Sequence, residues 1–416
     1  MGTLYLLPNA GRLLGRPLGV IATNITAVRE QIPALKSCVY MNCGTFGPTP
    51  TPVATEAARL ARLVESKGAF HPQTRKEIEF EGFERFRDSI SSYIMASSDE
   101  VALTRNVSDG INIVASGFDW QPDDEVIITD EEHPSGSLPF MNLARRYGAV
   151  VKMIPFHTDP GALIQDLEIL VNDRTKLVFM SHVSTVDGAR LPAKEVSDFL
   201  RHKNVPFMLD GAHAIGQFSV DVKDLGCDFY AGCCHKWLLA QQGTGFLYVD
   251  DAWIDRLETS WVGWGMTDEY DLEGLNYTPL SSARRFEYGT RNWATHVSAI
   301  KAMEFHNSLG PANIYSRSHD LAERLKRRLT DIPGLEVITP MERDKTTGIV
   351  ALSTQGLGHP SPGDWLWENQ RILTAHNPER QTMRLAAAFF LLEEEIDLLA
   401  DCFSELSKNN KLGLQR

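Results

Sequence analysis

The sequence predicts an α/β fold, with a large domain on a seven-stranded, mostly parallel sheet and a small α+β domain after it. Three observations carry this expectation. Seven short apolar runs, rich in β-branched and aromatic residues, fall at 101–103, 126–129, 150–154, 177–180, 207–209, 229–231 and 245–249. Helix-length amphipathic stretches, such as 136–147 and 193–202, separate most of them. Short strands alternating with helices pair in parallel and are covered on both faces. Beyond residue 294 the pattern changes. A long apolar-periodic helix is followed by a strand-like run at 348–352 and an acidic terminal helix near 391–406.

Composition bounds the function. A chain of 416 residues buries a large core without disulfide or metal staples. Its 54 acidic and 41 basic residues give a net charge of −13, which argues against a general nucleic-acid binder. The six cysteines, at 38, 43, 227, 233, 234 and 402, form no pairing framework and point to a reducing, cytoplasmic setting. No apolar run reaches the roughly 18 residues of a membrane span. The opening residues look faintly like a signal, but Pro8, Arg12 and Arg16 interrupt them, so a frayed extension is expected. There is no internal repeat. The expected organisation is an N-terminal segment over 1–40, a large domain over 41–295 and a small domain over 296–416. The stretch 253–285 reads as irregular, and its Trp261, Trp264 and Tyr270 read as core packing ahead of a pocket rim.

In parallel sheets, ligands sit beyond the carboxyl ends of the strands. The first run is followed by Thr104-Arg-Asn-Val-Ser108, where Ser108 can cap a helix whose N-terminus suits phosphate. The second is followed by Asp130-Glu-Glu-His133-Pro-Ser. The run at 207–209 leads into Asp210-Gly-Ala-His213. An acid leaving a buried strand is costly unless it meets a cation, although a turn Asp is the plainer reading of this residue alone. The run at 229–231 leads into Gly232-Cys-Cys-His235-Lys236-Trp237. A lysine between a histidine and Trp-Leu-Leu reads as desolvated, and such a lysine has a lowered pKa and forms imines. An acid, a buried lysine, a ring-stacking histidine and a phosphate-type helix start fit one cofactor, pyridoxal 5'-phosphate.

Other chemistries fit less well. Cys227, Cys233, Cys234 and His235 lack a usual zinc spacing, so no metal is expected. No glycine-rich nucleotide motif opens a helix. Histidines 71, 157, 202, 296, 306, 319, 359 and 376 lie in no constellation and read as surface or packing residues.

Asp210-Gly-Ala-His213, His235-Lys236 and Gln242-Gly-Thr-Gly-Phe-Leu-Tyr-Val occur in an order that resembles the class V aminotransferase family of fold-type I pyridoxal-phosphate enzymes. Glu132-His133-Pro-Ser, Ser181-His-Val-Ser184, Asn106-Val-Ser-Asp-Gly-Ile-Asn and Tyr40-Met-Asn42-Cys-Gly44-Thr-Phe-Gly47-Pro fit the same order. The likeness runs from about Glu30 to the C-terminus. It implies that Lys236 is the Schiff-base lysine, Asp210 the partner of the pyridine nitrogen and His133 the histidine stacked on the ring. By the same likeness His213 and Thr185 lie beside the phenolic oxygen, and Val107, Ser108, Cys233 and His235 lie at the phosphate. Cys233 replaces a common Ser, and Thr185 replaces an Asn frequent in desulfurases. Arg384 resembles the arginine that grips the substrate carboxylate, with Asn42 and Arg291 as further substrate contacts.

Gly289-Thr290-Arg291-Asn292 resembles a Gly-Thr-Arg-Asp signature of isopenicillin N epimerase-like proteins, a group that includes ergothioneine-pathway C–S lyases. In that family the loop, here Gly289 and Thr290, reaches the phosphate of a neighbouring subunit. A homodimer with shared sites follows from the resemblance. The expected activity is chemistry at the α-carbon of an amino acid through an imine with the cofactor, as C–S β-elimination or epimerisation. Transamination, decarboxylation or ring formation, and a catalytically silent binding protein, stand as alternatives. A persulfide-forming desulfurase is disfavoured, because no cysteine lies between Gly356 and Arg384 and Cys402 sits in a helical acidic run.

Overall fold

The computed structural model describes residues 25–411; the expectation for the first two dozen residues lies outside them. The described chain opens with the helix Ile25–Glu30, which leads to strand β1 (Val39–Tyr40). The large sheet holds β2 (Val101–Thr104), β3 (Glu125–Thr129), β4 (Val150–Ile154), β5 (Thr175–Ser181), β6 (Phe207–Asp210), β7 (Phe229–Cys233) and β8 (Gly245–Val249). Their spatial order is β2-β8-β7-β6-β5-β3-β4. All seven coincide with the apolar runs of the sequence. Only β8 runs antiparallel, pairing with β2 on one side and β7 on the other.

Burial explains the composition of these strands. Every residue of β2, β3, β7 and β8 is buried, whereas the edge strand β4 exposes Val150 and Met153. Helices cover both faces, as a parallel sheet requires. The helix Pro134–Tyr147 starts with His133 as its cap and Pro134 at its first position, where the missing N–H costs nothing. It ends at Gly148 in the left-handed region. The helix Ala193–His202 has the bounds the sequence suggested.

A hairpin of β9 (Thr267–Asp271) and β10 (Asn276–Pro279) stands where the sequence read as irregular. Its strands are polar and largely exposed, so no apolar alternation announces them. The core reading of Trp261, Trp264 and Tyr270 is corrected here. All three are exposed, and Trp261 stacks on Tyr288 with ring centroids 5.7 Å apart.

The smaller sheet joins β11 (Glu336–Val337), β12 (Ile349–Ser353), β14 (Ala375–Asn377) and β15 (Thr382–Ala386), in the order β11-β12-β15-β14. Strand β13 (Ile372–Leu373) leaves it to pair in parallel with β1, so Val39 lies beside Ile372. Arg29 clamps the start of the terminal helix Glu393–Lys411 through Glu395 and the Phe390 carbonyl. The helix Trp293–Leu309 runs across the expected boundary at 295 and packs on the helix Thr51–Lys67.

Candidate active site

The sheet register sets the geometry of the site. Ser181 at the end of β5 lies beside Asp210 at the end of β6, and Asp210 lies beside Ala231 of β7. These carboxyl ends open into a cavity of about 260 Å³. Its lining includes Val107, Ser108, His133, Thr185, Asp210, His213, Cys233, His235, Lys236 and Arg384. Ten side chains far apart in sequence therefore meet where parallel-sheet ligands bind.

Lys236 sits on the turn after β7. Burial pushes its ammonium pKa below the ordinary value, with the Arg384 charge acting in the same direction against the attraction of Asp210 and Cys233. Its Nζ lies 3.4 Å from His213 Nε2. The turn is tight. Leu239, fully buried, holds φ at +64°, a conformation that costs an L-residue about 1–2 kcal/mol. The N-terminal loop closes over it, because Gly47 N–H donates to the His235 carbonyl at 2.8 Å. A Cβ at Gly47 would stand 2.0 Å from the Lys236 carbonyl oxygen, so only glycine permits this approach.

Asp210 is buried, and its Oδ1 accepts the Ala212 N–H at 2.8 Å. It is thus both a turn Asp and a cavity acid. Burial raises its pKa against the pull of that N–H and of Lys236. His133 uses Nδ1 to accept the Ser135 N–H at 3.0 Å, and burial lowers its pKa. His235 Nδ1 is buried with no hydrogen-bond partner among the described residues, and burial takes its pKa down to about 4. Arg384 leans in from β15, its Nη1 donating to the Thr185 carbonyl at 2.9 Å and to Thr185 Oγ1 at 2.6 Å.

Some expectations need amendment. Ser108 does not cap the helix Val107–Gly117. Asn106 does, its Oδ1 accepting the Asp109 N–H at 2.9 Å. The Cys233 thiol points to the Ala212 carbonyl, 3.7 Å away, and burial raises it to about 11. Asn42 stays outside the cavity lining and accepts from the Thr45 hydroxyl at 2.8 Å. Gly289, Thr290 and Arg291 line a separate cavity of about 120 Å³ with Arg105, Trp261 and Tyr288. Arg291 itself is committed to Glu287 at 2.8 Å and to the Leu103 carbonyl at 2.9 Å.

Sequence reasoning passed over Phe46 and Ser135, which also line the cavity, and Glu132 behind it. Glu132 accepts from Thr129 Oγ1 at 2.6 Å, Ser181 Oγ at 2.6 Å and Ser181 N–H at 3.0 Å. Burial nevertheless raises it to about 7. Its place before His133 was the available signal.

The donor set fits pyridoxal phosphate. Asp210 is a buried acid with one N–H donor, His235 presents an unpartnered ring nitrogen, and the first turn of Val107–Gly117 offers free N–H groups beside Ser108. Comparison with known proteins agrees. Residues 46–374 match the family model described as Aminotransferase class-V. Isopenicillin N epimerase of Streptomyces clavuligerus is 32% identical over 334 residues, covering 77% of this chain and 83% of that one. A probable cysteine desulfurase of Methanothermobacter thermautotrophicus is 28% identical over 406 residues, covering 91% and 97%. Among solved structures, the cystine C–S lyase C-DES in complex with its product cysteine persulfide superposes with a TM-score of 0.83 at 24% identity, covering 90% and 99%. That last likeness speaks to the fold alone.

Proposed function

The chain belongs to the aminotransferase class-V family, and from that premise we propose that it is a pyridoxal-phosphate enzyme that works at the α-carbon of an amino acid, by C–S β-elimination. The observation that carries this is the meeting of Lys236, Asp210, His133, His235 and Arg384 in one cavity. Bound there, pyridoxal phosphate supplies an aldehyde for amines and a ring that accepts electrons from the α-carbon. Lys236 would hold it and, once freed when the substrate amine takes its place, would accept the α-proton as a free amine. Asp210 holds the ring nitrogen protonated, and His133 covers the ring. His235, Ser108 and the Val107 N–H hold the phosphate, with Cys233 beside them. Thr185 and His213 face the phenolic oxygen. Arg384, braced by Thr185, grips the substrate carboxylate through its guanidinium fork.

The thiols weigh against persulfide chemistry on the protein. Burial raises the pKa of all six, and a sulfur nucleophile needs the opposite shift. Epimerisation is the second reading, favoured by the 32% identity to an isopenicillin N epimerase. Gly289 and Thr290, which stand apart from this chain's own cavity, are assigned to the phosphate of a second copy in a homodimer. None of the described helices is long and apolar enough to cross a membrane, and we place the enzyme in the cytoplasm.

The test has two parts. Protein supplied with pyridoxal phosphate should gain a visible absorbance band that borohydride bleaches; without that band the proposal fails. A panel of S-substituted cysteines and their sulfoxides then separates the readings. Pyruvate and ammonia mark elimination, whereas α-deuterium exchange without pyruvate marks epimerisation.

A further inference from the structure

We infer that Trp237 is a positioning residue, whose indole N–H holds His213 in the tautomer that carries its ring proton on Nε2. The indole donor has no alternative role. An indole N–H only donates, so whatever it meets must accept. Trp237 Nε1 meets His213 Nδ1 at 3.4 Å, and both residues are buried. Nδ1 is therefore the bare nitrogen. Burial, with Lys236, Arg384 and His133 adding to it, holds the imidazole well below its ordinary pKa, so the ring is neutral and has one proton to place. That proton sits on Nε2, which faces Lys236 Nζ and Thr185 Oγ1, each at 3.4 Å.

The contact is built into the chain path. His213 lies on the turn that follows β6. In that turn Gly216 has φ of +91°, and a Cβ there would come within 2.4 Å of both the Trp237 carbonyl carbon and the Leu238 nitrogen. The turn thus seats directly on the lysine segment. Gln217 fixes its depth, donating from Nε2 to the His213 carbonyl at 2.5 Å and accepting the Gly348 N–H at 2.8 Å. These bonds fix the His213 backbone, and the Trp237 N–H then orients the ring through Nδ1.

Two consequences follow. Lys236 can pair with His213 only by accepting, which favours the neutral amine. Thr185 Oγ1 receives Arg384 on one lone pair and, in competition with Lys236, His213 on the other. Its own proton is then directed to the cavity that it lines. For its effect on catalysis, the inference rests on the proposed function.

The tautomer is read without turnover. In protein labelled with 15N-histidine, long-range proton–nitrogen correlation should show His213 protonated at Nε2 and bare at Nδ1, unchanged from about pH 6 to 9. The His213→Gln protein, lacking that one signal among the 12 histidines, identifies it. Trp237→Phe keeps an aromatic ring but loses the N–H. It should add a second signal set, from the Nδ1-protonated form. A wild-type ring protonated at Nδ1 overturns the inference, and so does a Trp237→Phe protein whose tautomer is unchanged. If that variant does not fold, the wild-type measurement decides alone. The visible band of the cofactor-loaded protein is scored separately. A band with an Nδ1-protonated ring sinks this inference only, whereas an Nε2-protonated ring without a band sinks the proposed function only.

Discussion

In the proposed function, Lys236 and Arg384 divide the work of a cavity that would hold one amine and one carboxylate. Burial lowers the Lys236 pKa, whereas the Arg384 guanidinium is aimed by two bonds to Thr185. Lys236→Ala should lose both the borohydride-sensitive band and turnover; normal turnover in that protein would contradict the proposed role. Arg384→Lys keeps a cation but loses the planar fork, so KM for α-amino acids should rise about tenfold with a smaller change in kcat. Steady-state kinetics on whichever amino acid of the panel is turned over would check this. Asp210→Ala leaves a ring cation without its buried partner. Cofactor affinity measured by titration of the visible band should fall by roughly 3–5 kcal/mol if the pair is fully buried.

At the scale of elements, Glu287 is the joint between the hairpin region and the large sheet. Its carboxylate pairs with the buried Arg87 of the helix Glu81–Tyr93, with Arg291 at 2.8 Å and with the Leu103 N–H of β2 at 2.8 Å. Burial alone would raise its pKa, but Arg87 and Arg291 outweigh that and hold it at about 2. A depressed carboxylate stabilises the fold above its unfolded pKa, and that contribution is lost as pH falls through the folded one. The window here runs from about pH 4.5 down to about 2. Glu287→Gln should therefore lower the unfolding free energy by roughly 3 kcal/mol at pH 7 in urea titrations, and by less near pH 3. An equal loss at both pH values would show that the charge is not what matters.

The sequence was legible where a pattern is local. Each of the seven apolar runs became a strand, because a sheet covered on both faces needs strands that are apolar along their length, and the edge strand β4 is partly exposed. The site residues that follow those strands were legible for the same reason. The hairpin was not, since exposed strands such as Thr267–Asp271 carry no core signature. Ser108 was chosen as a cap over Asn106, two residues away, although both types cap helices equally well. The Trp237–His213 contact was out of reach, because it depends on how the Gly216 turn seats on the lysine segment.

At the scale of the molecule, exposed apolar side chains stand at the base and the turn of the polar hairpin, near the second cavity. Trp264 is 70% exposed and Leu275 is 89% exposed. Patches of this kind mark interaction sites, which suits the homodimer proposed above. Paired Trp264→Asp and Leu275→Asp substitutions should shift sedimentation toward the monomer with the far-ultraviolet spectrum unchanged. A dimer that persists would place the contact elsewhere.

Segments from the N-terminal and C-terminal parts of the described chain meet beside Lys236. Gly47 bonds to the His235 carbonyl, β1 pairs with β13, and the Ala386 N–H donates to the Met41 carbonyl at 2.9 Å. On the ribosome, which releases the chain from its N-terminus, the strands of the large sheet emerge long before β13 and β15 exist. On the proposed function, a nascent chain therefore has Lys236 before it has Arg384, and translation must be almost complete before the proposed carboxylate contact is in place.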